Sequence, residues 1–106
     1  MSTRRKKRDD ARSFLEKITG GPLNFSRLIE AIRLGEEMSQ VEFARTLGVS
    51  RAHLCDIEKG RRFVSPEKGA GFARILGYSE ERFIKLVLQD QLRRAGLDYK
   101  IEIEAA

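Results

Sequence analysis

SQVEFARTLGVSRAHLCDIEKG, residues 39 to 60, holds the signals for two short amphipathic helices that meet at a tight turn. Ser39 can accept a backbone hydrogen bond at a helix start, and Glu42, three positions on, can return one to Ser39, the reciprocal arrangement of a capping box. Phe43, Ala44 and Leu47 follow as an apolar stripe at i, i+1 and i+4. Gly48 can take the left-handed conformation that ends a helix without steric cost. Two residues later Ser50 offers a second N-cap, and Leu54 and Ile57 form the buried side of a second helix, whose other side stays wet.

These residues carry a resemblance. Read without gaps, Gln40 to Glu58 and on through to Phe83 resembles the phage-repressor-like helix-turn-helix family, often called XRE or Cro/repressor-type, with the pattern S-Q-x-x-[LF]-A-x-x-L-G-V-S-x-x-x-[LI]-x-x-[LI]-E-x-G. The physical demands agree: Ala44 is small where two helices must cross, Gly48 makes the turn, and Leu54 with Ile57 lock the second helix to the first. The resemblance implies that Gln40, at the start of the front helix, and Ser50, Arg51, Ala52, Cys55 and Asp56 on the second helix face the major groove of DNA. It also implies that basic residues near the motif's end approach phosphates. Arg51 is the strongest base reader, because a guanidinium can donate two hydrogen bonds to guanine O6 and N7. Gln40 suits a phosphate or an adenine. Lys59, Arg61 and Arg62 suit phosphates, which position without specifying; the bland alternative is a solvated basic loop. Asp56 departs from the pattern, since a carboxylate repels phosphate as readily as it accepts from cytosine N4.

Charge points to the same class of partner. Across 106 residues, 21 Lys and Arg outweigh 16 Asp and Glu, giving a net charge of +5 and a pI near 9.7, which favours an anionic partner. The length and 41% hydrophobic content fit one small domain with a modest core. No apolar run approaches the roughly 18 residues of a spanning helix, and no apolar region follows the charged N-terminus as a secretory signal requires. The expectation is a soluble, cytoplasmic protein with no membrane association. A single cysteine, Cys55, cannot form an internal disulfide and suits a reducing compartment.

Outward from the motif, residues 1–12 hold six basic and two acidic side chains and no aliphatic run, so this arm is expected to stay disordered until it touches a partner. Its two readings are a solvated tail and an arm that adds phosphate or minor-groove contacts. Phe14, Leu15 and Ile18 share one face of a short accessory helix over 11–18, which Gly20, Gly21 and Pro22 then break. The glycine pair lacks the strand and the following Lys-Ser or Lys-Thr of a phosphate loop and reads as a linker. Asn24 caps a helix whose Phe25, Leu28, Ile29 and Ile32 fall at i, i+3, i+4 and i+7.

Past Gly60, Ser65 and Pro66 open a fourth helix that ends near Leu76 with Gly77 as its stop. Gly69 and Gly71 sit inside it, which predicts close backbone packing there; a nucleotide-binding glycine loop is disfavoured, since no strand precedes it and the third glycine of the fingerprint is missing. Ser79, Glu80 and Glu81 open a fifth helix. Its Phe83, Ile84, Leu86, Val87, Leu88, Leu92 and Ala95 cover an arc of roughly 240°, more than the roughly 100° that one core-facing stripe needs. Two buried surfaces are expected, one in the domain and one against a second chain, with an internal home for both as the alternative. Residues 99–105 alternate Tyr99, Ile101, Ile103 and Ala105 with Lys100, Glu102 and Glu104, a strand pattern with no internal neighbour. It is expected to pair with another molecule, so Leu86, Leu92, Tyr99, Ile101 and Ile103 are the expected dimer or partner contacts; a frayed tail is the alternative.

His53 and Cys55 stand two residues apart on a helix and point apart, and the chain has no other histidine or cysteine, so no metal site is expected. Cys55 reads as a small groove-facing residue rather than a reactive thiol, and His53 as a phosphate contact. No nucleophile with a paired base, no phosphate cradle and no cofactor motif assembles, so no enzyme and no cofactor is expected. The sequence reading is therefore an all-α, five-helix repressor-like domain with a C-terminal β-strand extension. It comprises a basic arm (1–12), a helical helix-turn-helix domain (13–96) and a strand for dimer or partner pairing (97–106). The expected function is a sequence-specific DNA-binding transcriptional regulator, a dimeric repressor whose half-sites lie about 34 Å apart or a multiple of it. The alternative, on a looser resemblance of layout to helix-turn-helix antitoxins, is an antitoxin that masks a protein toxin and autoregulates its operon. An RNA-binding module is disfavoured, because strand-borne aromatics for stacking bases are missing.

Overall fold

A computed structural model describes residues 24–106, so the basic arm, the accessory helix at 11–18 and the Gly20-Gly21 linker lie outside the described residues. Five α-helices and no strand occur among the described residues: α1 (Phe25–Gly35), α2 (Gln40–Leu47), α3 (Arg51–Glu58), α4 (Pro66–Leu76) and α5 (Glu80–Arg94). They fall into two compact units that divide after Arg62. No helix among the described residues is long and apolar enough to cross a membrane.

Helix starts follow the predicted caps. Asn24, Ser39, Ser50, Ser65 and Ser79 each accept a backbone N–H three residues on, from Arg27, Glu42, His53, Lys68 and Arg82 respectively. Helix ends share one device, shown by α2: Gly48 turns left-handed at φ 75°, its N–H reaches the Arg45 carbonyl at 3.2 Å, and the Val49 N–H reaches the Ala44 carbonyl at 3.0 Å. These crossed hydrogen bonds satisfy carbonyls that a helix terminus otherwise orphans. The other helices close likewise, but at the end of α1 the left-handed residue is Glu37, at φ 57°. A side chain there costs about 1–2 kcal/mol of backbone strain, partly offset by the greater entropy that glycine loses on folding. Glu37→Gly is therefore expected to stabilise the protein by about 1 kcal/mol in denaturant unfolding; a loss of stability would show that the Glu37 side chain contributes more than its backbone costs.

In the first unit, α3 packs against both α1 and α2. Ile29 from α1, Phe43 from α2 and Leu54 and Ile57 from α3 are fully buried, each at 1% exposure or less. One charged cluster enters this interior. The Glu58 carboxylate, 1% exposed, accepts from Arg33 Nε at 2.8 Å and from Arg33 Nη2 at 3.0 Å, while Gln40 Nε2 donates to it at 3.2 Å. Arg33 Nη1 also donates to the Met38 carbonyl at 3.2 Å, in the connection between α1 and α2. One carboxylate at the end of α3 thus fastens the other two helices, and its hydrogen bonds hold the Arg33 guanidinium above its ordinary pKa.

In the second unit α4 packs on α5, burying Phe72, Ala73 and Leu76 of the first and Phe83 and Val87 of the second. Arg74 and Glu80 form an ion pair across their connection at 2.5 Å, and the Arg94 guanidinium stands 4.3 Å over the Phe63 ring. Gly69 is buried, but the close packing expected at Gly71 is absent. A Cβ built at Gly71 meets only the Arg74 side chain, at 3.9 Å, an ordinary van der Waals distance. Gly71→Ala is accordingly expected to raise stability by about 1 kcal/mol through helix propensity alone, read as a higher thermal midpoint. A fall would reveal a crowded environment that the isolated chain does not have.

The expected C-terminal strand does not form. Residues 97–106 take no regular secondary structure, and none of residues 98–106 makes a backbone–backbone hydrogen bond with a described residue. A side chain supplies part of what a neighbouring strand would. The Gln89 carboxamide donates from Nε2 to the Tyr99 carbonyl at 2.6 Å and accepts the Ile101 N–H at 3.1 Å, and Lys85 lies 4.0 Å from Glu102. The tail thus runs back beside α5. The broad apolar arc of that helix has a corresponding fate: Ile84, Leu86, Leu88 and Leu92 are half-buried, while Ala95 is exposed.

A candidate nucleic-acid interface

The α2–turn–α3 element is fixed at each joint by short-range chemistry. At the front of α2, Ser39 Oγ accepts the Glu42 N–H at 3.1 Å and Glu42 Oε1 accepts the Ser39 N–H at 3.0 Å. The Ser39 backbone and hydroxyl hydrogen bonds hold the Glu42 carboxyl below its ordinary pKa. The resulting stabilisation is present above the ordinary carboxyl value and is lost as pH falls through the lowered one. Gly48 then reverses the chain, and Ser50 Oγ, accepting the His53 N–H at 3.0 Å, starts α3.

With Leu54, Ile57 and Glu58 turned inward, α3 has one fixed outer face. Ser50, Arg51 and Ala52 are exposed at its beginning, and His53, Cys55 and Asp56 are half-buried. Arg51 makes no hydrogen bond or ion pair with a described residue, so its guanidinium is available. Gln40 is half-buried and one of its two amide N–H groups is committed to Glu58, which leaves the second N–H and the side-chain oxygen for another partner. Lys59, Arg61 and Arg62 follow the helix and are all exposed. Two of them have a partner on α3 itself: Asp56 Oδ1 lies 3.9 Å from Arg61 Nε, and Asp56 Oδ2 lies 3.9 Å from Arg62 Nη2. Asp56 therefore sits beside two of the phosphate candidates.

Exposed pairs at this distance contribute at most about 1 kcal/mol each, so a phosphate can displace the carboxylate. Asp56→Asn is expected to tighten binding to a random-sequence duplex by about three- to tenfold at low salt, since it removes a negative charge and releases two arginines. Fluorescence anisotropy would measure this; an unchanged or weaker affinity would mean that neither arginine meets DNA.

Two features of the site escaped the sequence reading. The tie between Gln40 and Glu58 makes Gln40 part of the scaffold as well, and Arg33, outside the motif, completes it. The available signal was Glu58 itself, a carboxylate next to Ile57 on the inward side of α3.

A family model described as a helix-turn-helix domain matches residues 24–83, more than half of the chain. The chain belongs to the helix-turn-helix domain family. The matched stretch takes in α1 through α4 and the first turn of α5, so the helix-turn-helix assignment covers the whole candidate interface and stops short of residues 84–106. Among curated proteins and among solved structures, none matches the chain significantly. A helix-turn-helix domain makes double-stranded DNA the expected partner and places the protein with DNA-binding regulators.

Proposed function

We propose that this protein is a sequence-specific transcriptional repressor of the phage-repressor-like type, acting as a homodimer in the cytoplasm and carrying no catalytic activity. The outer face of α3 carries this reading: Arg51 stands exposed and uncommitted at the start of a helix fixed in place by two caps, a glycine turn and the Glu58 cluster. In this role Arg51 reads a guanine, Ser50, Ala52, Cys55 and Asp56 line the groove, and Gln40, His53, Lys59, Arg61 and Arg62 lie toward phosphates. The basic residues 1–12 add sequence-independent attraction.

The deciding experiment compares binding to the DNA just upstream of the protein's own reading frame with binding to a scrambled duplex, at two salt concentrations. A preference of about a thousandfold, typical of specific binders, supports an autoregulating repressor. Equal binding to both duplexes rejects that DNA as its operator. A second reading, an antitoxin that masks a protein toxin, draws on residues 84–106, which lie outside the matched stretch and end in a tail tied down mainly through Gln89. Co-purification of a small separate protein, lost on deleting residues 97–106, would favour it; a homodimer alone would count against it.

A further inference from the structure

The middle of the outer face of α3 follows from its inner one. Leu54, Ile57 and Glu58 are buried, and at about 100° per residue the direction opposite them falls between Ala52 and Asp56. Ala52 has no polar side-chain atom, so the Asp56 carboxylate is the polar group at the centre of that face, with Arg51 to one side. This carboxylate accepts no hydrogen bond from a described residue. Its neighbours are two cations, Arg61 Nε and Arg62 Nη2, each 3.9 Å away, beyond hydrogen-bond reach. Both arginine side chains are more than half exposed, at 60% and 52%, so DNA phosphates can draw them off.

That arrangement sets a condition on the DNA. Once Arg61 and Arg62 go to the backbone, the Asp56 carboxylate is left in the groove as an acceptor in need of a donor, and a desolvated acceptor without one is costly. Guanine presents N7 and O6 in the major groove and thymine presents O4, all acceptors that repel a carboxylate. Cytosine N4 and adenine N6 donate, but adenine sets its N7 acceptor beside N6, so cytosine is the base that meets a carboxylate with a donor alone. We propose that Asp56 is a specificity-determining residue that requires a cytosine amine in the major groove. This rests on the repressor reading above and adds a base requirement to the guanine read by Arg51. The charge weakens binding wherever no amine stands opposite it and is satisfied where one does, so it acts on the ratio of specific to nonspecific affinity. Arg61 and Arg62 couple the two states: they neutralise the carboxylate in the free protein and leave it for phosphates in the bound one.

Selection from a pool of duplexes with a randomised core tests this, using the full chain, Asp56→Asn and Arg51→Ala. Asparagine pairs with adenine through N6 and N7, so the exchange predicts a changed base and not merely a lost one. The starting protein should enrich sites with a C·G pair at a position that Arg51→Ala leaves unchanged. Asp56→Asn should lose that pair, with A·T favoured in its place, while keeping the other enriched positions, which also shows that the variant folds. On the enriched duplex, inverting the pair to G·C or replacing it by T·A should weaken the starting protein about tenfold or more, and the variant far less. The base requirement is overturned if Asp56→Asn enriches the same site as the starting protein, or if the pair that it changes was A·T; either result leaves the repressor reading standing. If neither protein enriches any sequence, the repressor reading fails and the requirement falls with it.

Discussion

Arg33→Met is expected to destabilise the protein by about 3–5 kcal/mol, the range found when one member of a buried ion pair is removed. The Glu58 carboxylate would remain at 1% exposure with Gln40 as its one remaining side-chain donor among the described residues, having lost a two-pronged hydrogen bond from a guanidinium. The cost comes from that stranded charge more than from the lost attraction. Removing the charge as well reverses the argument: Arg33→Met with Glu58→Leu should be less destabilised than Arg33→Met alone. Denaturant unfolding of both variants decides the matter, and equal losses would mean that the pair contributes little beyond packing. Since the guanidinium is held above its ordinary pKa, its contribution is fully present below that value and is lost only as pH rises through the raised one. Arg33 therefore contributes no change in stability across the neutral range.

The second large effect concerns DNA. Arg51→Ala is expected to cost about 1–3 kcal/mol on the cognate site and little on random DNA, because a base contact contributes only where its base is present. Arg61→Ala or Arg62→Ala should instead weaken both duplexes and reduce the slope of affinity against salt by about one ion each. Titrations of the three variants on both duplexes at several salt concentrations separate the roles. Equal losses on the two duplexes for Arg51→Ala would reject base reading and leave it as one more phosphate contact.

Local chemistry made much of this molecule legible in its sequence. Ser39, Ser50, Ser65 and Ser79 each announce a helix with a hydroxyl that can reach a backbone N–H three residues on, and Gly48, Gly60 and Gly77 announce the stops. These signals span a few residues and need no knowledge of the rest of the chain. Arg33 and Glu58 are 25 positions apart, and no local pattern couples them. The same limit hides the tie between Gln40 and that carboxylate, 18 positions apart. Gly71 was misjudged for a related reason, since a glycine in a helix records a missing side chain but not whether anything fills the space. The alternating tail was read correctly as apolar and polar by turns, but periodicity cannot say that Gln89 would take the place of a neighbouring strand.

Glu37, the one left-handed residue among the described residues that is not glycine, bears on how this sequence can change. Glutamate and glycine codons differ by a single base in their second position, so the substitution that relieves the turn is one mutational step away. Glycine and alanine codons are related in the same way, which puts Gly71→Ala equally near. Neither change touches Arg51 or the caps that hold it. The domain thus lies on a slope of its stability landscape, below a higher point that one mutation reaches, and it can gain tolerance for costly changes on the α3 face without rebuilding its core.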